Sequence, residues 1–318
     1  MELLRRLGTG PFLVISFRYH IVSLVAVFLA LAVGIVVGTT ALSGPITTDL
    51  RSQVNSLKAD RGELSTQVKQ LQSQLDDAGQ FAASFGPQLV AGTLKGSNVL
   101  VITMPGASSG MADGIASQLS AAGAQITGRL QLSQDYVDPA GAASISALAT
   151  NTSARPLGLS LPVTSDARQL GAALLSYVLL GKGQPTDLPQ VLSGFSALHM
   201  ITSDPKGIEP ATNVVVVANG SLPKGGYAGE AELDLVSALQ SRGGKVVVAG
   251  DGGTATGDGV VALVRSGSDK ATVSTVDNAD TAAGQVSTVL ALAGAAQSRI
   301  GHYGTAPGAD ALFPSPNG

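Results

Sequence analysis

Between Arg18 and Asp49 the chain carries no charged side chain except a titratable His20, and from Ile21 to Leu42 nearly every residue is apolar or small. At about 1.5 Å per residue such a run crosses a hydrocarbon core of roughly 30 Å. A backbone in hydrocarbon must satisfy its own hydrogen bonds, so the span is expected to be a helix over 18–42. Arg5, Arg6 and Arg18 precede it, and no acid lies between Glu2 and Asp49. The positive-inside rule then leaves a cytoplasmic tail at 1–17 and about 275 residues outside the membrane. A cleaved signal peptide is the competing reading, with Ala41-Leu42-Ser43 as an imperfect processing site. The long apolar run favours a retained signal anchor.

A second periodicity follows at once, over 46–80. Leu50, Leu57, Leu64 and Leu71 recur every seventh residue, with Val54, Val68 and Leu75 interleaved. Leucine at d and valine at a favour a parallel two-stranded coiled coil. Arg61 occupies an a position and Gly62 follows it, which marks either a register device or a partner that is not an identical helix. A single amphipathic helix lying on the folded domain is the alternative. Within the span, Ala26, Ala30, Gly34 and Gly38 form a small-residue ridge at intervals of four, along which two helices can approach. Ridge and heptads together predict a parallel homodimer.

The remaining residues read as an extracytoplasmic α/β domain over 97–300, in one lobe or two. Gly79 and Gly86-Pro87 suggest a hinge after the coil. Asn98–Met104, Asn213–Ala218 and Lys245–Ala249 are short apolar runs of the kind buried on both faces of a parallel sheet. Helices are expected at 111–122, 138–150, 166–181, 230–242 and 281–297. Further strands are expected near 125–132 and 198–202, with short β-rich runs at 260–264 and 272–276. The alternation predicts a mostly parallel sheet with helices on both faces. The Pro/Gly-rich segment 301–318 reads as irregular.

Composition removes several function classes. Net charge is −3 and no basic patch with aromatics is present, which argues against nucleic acid as a partner. With no cysteine, disulfides and thiolate chemistry are excluded. Neither a G-x-G-x-x-G nor a P-loop pattern occurs, and there is no G-x-S-x-G elbow, so no catalytic residue is assigned. Glycine-rich strand ends at Pro105–Gly110, Asn219-Gly220 and Gly250–Gly253 are where an open parallel sheet would hold a small ligand. Asp251 and Asp258 fit no calcium-loop pattern. For a soft metal such as Cu(I), the exported donors are His199, Met200, Met104 and Met111, with His302 as a further imidazole. A strand at 198–202 would point His199 and Met200 to opposite faces.

The segment FRYHIVSLVAVFLALAVGIVVGTT, the leucine heptads behind it, SNVLVITMPGA and the closing HYGTAPGADALFP together resemble the MctB-like family of actinobacterial envelope proteins. That family is named for mycobacterial copper transport protein B, and it includes SteB, which pairs with the membrane protein SteA in cell separation. The resemblance covers about Ser16 to Pro314. It implies copper transport or homeostasis in the cell envelope, with copper as the metal handled. It also implies a SteB-like scaffold role, with the coil meeting a SteA-like helical partner during cell-wall remodelling. A third class, an exported small-molecule-binding domain or enzyme, would use the loops after Met104 or Ala249. A single span cannot line a pore alone, so transport requires an oligomer or a partner.

Overall fold

The structure, a computed structural model, describes residues 17–151, 155–204 and 207–315, and of residues 40–48 the backbone only. The expected cytoplasmic tail therefore lies outside the described residues apart from Phe17, as do the side chains of Ala41-Leu42-Ser43 and the last three residues of the terminal segment.

The chain forms two compact units, one ending at Gln74 and one running from Leu75 to Gly318. The first element is a single helix, α1 (Phe17–Val90, 74 residues). It continues ten residues past the expected end of the coil, and no hinge interrupts it at Gly79 or at Gly86-Pro87. Gly86 serves a contact: a Cβ there would come within 2.7 Å of Val286 Cγ2 and 3.3 Å of the Gln118 amide. Close packing of the last turns explains this glycine, and Pro87 removes only one donor near a helix end.

Beyond α1 the elements alternate as β1 (Asn98–Thr103), α2 (Ser109–Ala121), β2 (Gln125–Leu132), α3 (Ala142–Thr150), α4 (Ala167–Leu179), α5 (Asp187–Ala197) and β3 (Ile201–Ser203). They continue as β4 (Asn213–Val217), α6 (Tyr227–Ser241), β5 (Lys245–Ala249), α7 (Val260–Ser266), β6 (Ser274–Val276), α8 (Ala282–Ala296) and β7 (His302–Tyr303). All seven strands join one sheet in the order β3-β2-β1-β4-β5-β6-β7. Every pairing is parallel except that of β2 with the edge strand β3. The α/β region is thus built on one sheet, and the order in which strands are added reverses between the parallel neighbours β1 and β4.

Alternate residues of the central strands face opposite cores. Leu100, Ile102, Val214, Val216, Val246 and Val248 pack beneath α3 to α7. Val99, Val101, Val215, Val217, Val247 and Ala249 pack against α2, α8 and the end of α1, including Val90. Helices on both faces explain why these strands are apolar throughout.

Three expectations are corrected. The valine-rich run 260–264 is not a strand but α7, because Val260, Val261 and Val264 bury one side of a helix and tertiary packing overrides β-propensity. Residues 187–197, left without an element by the sequence, form α5, whose Leu188, Val191, Leu192 and Phe195 are buried at helical spacing. The terminal segment is not wholly irregular. His302 and Tyr303 pair with Thr275 and Val276 as β7, and Tyr303 bridges Ala311.

A buried ion pair holds that segment. Arg265 Nη1 stands 2.8 Å from Asp277 Oδ2, with 4% and 0% of the two side chains exposed. The contact lacks hydrogen-bond alignment at Oδ2, but both groups are bonded elsewhere. Arg265 donates to Thr275 Oγ1, the Pro307 carbonyl and the Tyr303 carbonyl. Asp277 Oδ1 accepts from the Thr305 and Ala306 amides. Gly304, at φ +127°, leaves room for that carboxylate, which a Cβ would overlap. Burial lowers the pKa of His302, and its ring nitrogens meet Thr275 Oγ1 at 2.9 Å and the Lys270 carbonyl at 3.0 Å.

One core carboxylate predicts a pH dependence. Glu232 on α6 is 5% exposed, and burial pushes its pKa from 4.5 up to about 8. Between those values the folded chain keeps a proton that the unfolded chain has lost. Stability is therefore expected to fall as pH rises from about 4.5 to about 8. Glu232→Gln should remove that slope and raise stability at pH 8 by roughly 4 kcal/mol, read from urea melts at pH 5 and pH 8. Equal slopes in the two proteins would refute the assignment.

Candidate functional site

Among the described residues, the long continuous run of exposed apolar side chains lies on α1. Its first part, Phe17–Thr39, has 23 residues, and its most apolar stretch has a mean hydropathy of 2.9 and no burial within the chain. Side chains such as Val22, Phe28 and Leu29 are more than 60% exposed. By length and composition this helix is able to cross a membrane, and Ile21 lies near its start. The ridge of Ala26, Ala30, Gly34 and Gly38 is open: a Cβ on Gly34 or Gly38 would meet nothing within 4 Å.

The heptad residues follow on the same helix. Leu50, Val54, Leu57, Leu64, Val68, Leu71 and Leu75 are between 41 and 71% exposed. Leaving such side chains in water forgoes about 25 cal/mol for each Å² that a partner would cover. Arg61, the a-position interruption, is also exposed.

The apolar line outruns the sequence reading. Phe85 and Leu89 fall fourteen residues after Leu71 and Leu75, and they are 46% and 63% exposed. Phe81 and Phe85 meet with ring centroids 4.6 Å apart. Heptad counting could have found both residues, but the supposed hinge stopped it.

In the loops that follow β4 and β5 the carboxylates of Asp251 and Asp258 are spent on loop backbone. Asp251 Oδ1 accepts from the Gly220 amide at 2.8 Å and the Thr254 amide at 3.2 Å. Asp258 accepts from the Gly225 amide. A Cβ on Gly253 would stand 3.0 Å from the Gly220 backbone, so the glycines here allow one loop to lie on another. A cleft of about 1020 Å³ lies elsewhere, between α5 and the approach to β4, lined by Leu188, Leu192, Ile208 and Pro210 and by no histidine or methionine.

The soft-metal candidates are dispersed. Met104 and Met200 are 0% and 2% exposed in the core beneath α3 to α7, while Met111, 3% exposed, belongs to the core on the other side of the sheet. His199 is not in a strand: it sits exposed in the turn after α5 at φ +57°. Its carbonyl accepts from Ser133 Oγ at 2.6 Å. The structure thus places Met104 and Met111 on opposite faces, and it turns His199 outward while Met200 points inward. As placed, the thioethers fill core volume. Among the described residues no group of three or more histidines, aspartates and glutamates is arranged to hold a metal ion.

One polar cluster had no sequence signal, because its members come from distant segments. Arg168 of α4 pairs with Asp166 at 2.6 Å and with Glu230, and it lies 3.6 Å from Asp234 and 5.1 Å from the centroid of the Tyr227 ring. Hydrogen bonding to Arg168 lowers the pKa of Asp166, whereas burial raises that of Asp234. This cluster ties α4 to α6, which pack along one another on the same face of the sheet.

Residues 14–314 match the family described as copper transport outer membrane protein, MctB. The copper transporter MctB of Mycobacterium tuberculosis (strain ATCC 25618 / H37Rv) is 32% identical over 308 residues, covering 93% of this chain and 98% of that protein. The copper transporter MctB of Mycobacterium leprae (strain TN) is 29% identical over 315 residues, covering 94% and 98%. With the apolar N-terminal helix, the heptad segment, the α/β domain and most of the terminal segment inside the matched region, the chain belongs to the MctB family.

Proposed function

We propose that this chain is a membrane-anchored envelope protein of copper transport that works as a parallel dimer, its N-terminus cytoplasmic and its α/β domain outside. The observation that carries the reading is the family match over residues 14–314, which includes the span and the coil as well as the domain. The exposed seam and the open Ala/Gly ridge support the dimer, and the arginines before the span support the orientation.

Copper is cargo in this reading. The described strands form an open, mostly parallel sheet, unlike the closed antiparallel barrel of an outer-membrane pore. One helix encloses no pathway, so several copies or a membrane partner must complete it. Cells lacking the protein are expected to stop growing at lower copper than wild-type cells and to regain tolerance when the full chain is restored. Met104→Leu, Met111→Leu and Met200→Leu should each restore tolerance as well as wild type, since leucine fills the same core volume. Unchanged tolerance in cells without the protein would refute the copper role. Loss of tolerance in a well-folded methionine variant would show that a thioether meets the metal.

A second reading, a SteB-like scaffold in which a different helix covers the seam, is favoured by Arg61, a cation on a line of leucines and valines. The same cells then fail to separate without any change in copper tolerance.

A further inference from the structure

Arg61 and Asp60 are adjacent on α1 and both exposed, and among the described residues neither side chain makes a hydrogen bond or ion pair within the chain. We propose that each Arg61 lies against the partner's Asp60 in a dimer of this chain, and that this pair of contacts fixes the helices as parallel and in register. The inference rests on the dimeric reading above and deepens it.

The argument comes from coiled-coil geometry. In a parallel pair each a side chain enters a hole whose wall includes the residue just before the partner's own a position, a g position. With leucine 57 and leucine 64 at d, that g residue beside Arg61 is Asp60. Elsewhere on the flanks from 51 to 74 the residues are Gln53, Gln67 and Gln74 at g, and Arg51, Lys58, Ser65 and Gln72 at e. Asp60 is therefore the one acid on either flank of this seam.

Aligned in register, two guanidiniums and two carboxylates meet at one level of the coil with no net charge. Without the acids, the two arginines would face each other at a–a′ and repel. Slipping one helix by a heptad sets Arg61 beside Gln53 or Gln67, and a cation is left with no counter-charge. The interruption thus penalises wrong registers, and a second copy supplies the missing anion where an unrelated helix need not.

The test uses the full chain in detergent. Because the protein has no cysteine, Leu64→Cys at d reports the register by forming a disulfide between copies, whatever the membrane spans do. The chain with Leu64→Cys alone should crosslink readily. Adding Asp60→Arg gathers four cations at that level, and adding Arg61→Asp gathers four anions, so each variant alone should crosslink at least about tenfold more slowly. An equimolar mixture restores one guanidinium against one carboxylate on both sides and should regain the original rate. Undiminished crosslinking in either single variant, or no recovery in the mixture, overturns the pairing while the dimer stands. A monomer by light scattering with no crosslinking in the parent overturns the dimer as well.

Discussion

Arg265→Leu is expected to lower the melting temperature of the α/β domain by roughly 10 °C, the largest effect of any single substitution considered for that unit. Removing one member of a buried ion pair leaves the other charge without compensation and costs about 3–5 kcal/mol. For a domain of this size each kcal/mol shifts the midpoint by about 2–4 °C. Here the orphan would be Asp277, fully buried at the end of β6. Three donated bonds that hold Thr275, Tyr303 and Pro307 would vanish with the guanidinium. Limited proteolysis should then cut after Tyr303 well before the core is lost. Arg265→Leu combined with Asp277→Leu should recover most of the lost stability, because no charge is then stranded. A shift below about 2 °C for Arg265→Leu, read by calorimetry, would mean that the pair does not anchor the terminal segment.

Leu57→Asp combined with Leu64→Asp is expected to abolish association through the coil, raising its dissociation constant by more than about a thousandfold. Each substitution forces a carboxylate into an apolar seam, where an unpaired charge is strongly disfavoured. Neither residue belongs to the two cores of the α/β domain, so that domain should melt at its usual temperature. Cells carrying the double variant should be as copper-sensitive as cells without the protein. Monomers with full copper tolerance would show that dimerisation is not required for function.

How far the sequence carried can be argued from particular elements. A parallel sheet buried on both faces demands continuous apolar strands, and the run Lys245–Ala249 matches β5 residue for residue. The apolar run and the heptad leucines were equally legible as helix, because each is a local pattern, and they form one helix, α1. Gly86-Pro87 misled because the same two residues end one helix and let another pack closely. Val260–Val264 misled because valine suits a strand and the inner side of a short helix alike. His199 and Met200 are neighbours in sequence, yet a left-handed turn separates their surroundings.

The sequence by itself therefore determined the long apolar helix, the heptad line of leucines that continues it and the α/β class, since these follow from periodicity and from the surroundings each residue must face. Only the tertiary structure decided that the terminal segment adds a strand, that Arg265 and Asp277 meet, and that three methionines lie in cores on opposite faces of the sheet. Those outcomes join residues distant in the chain, and they depend on which side chains come to share a face, which no local pattern records.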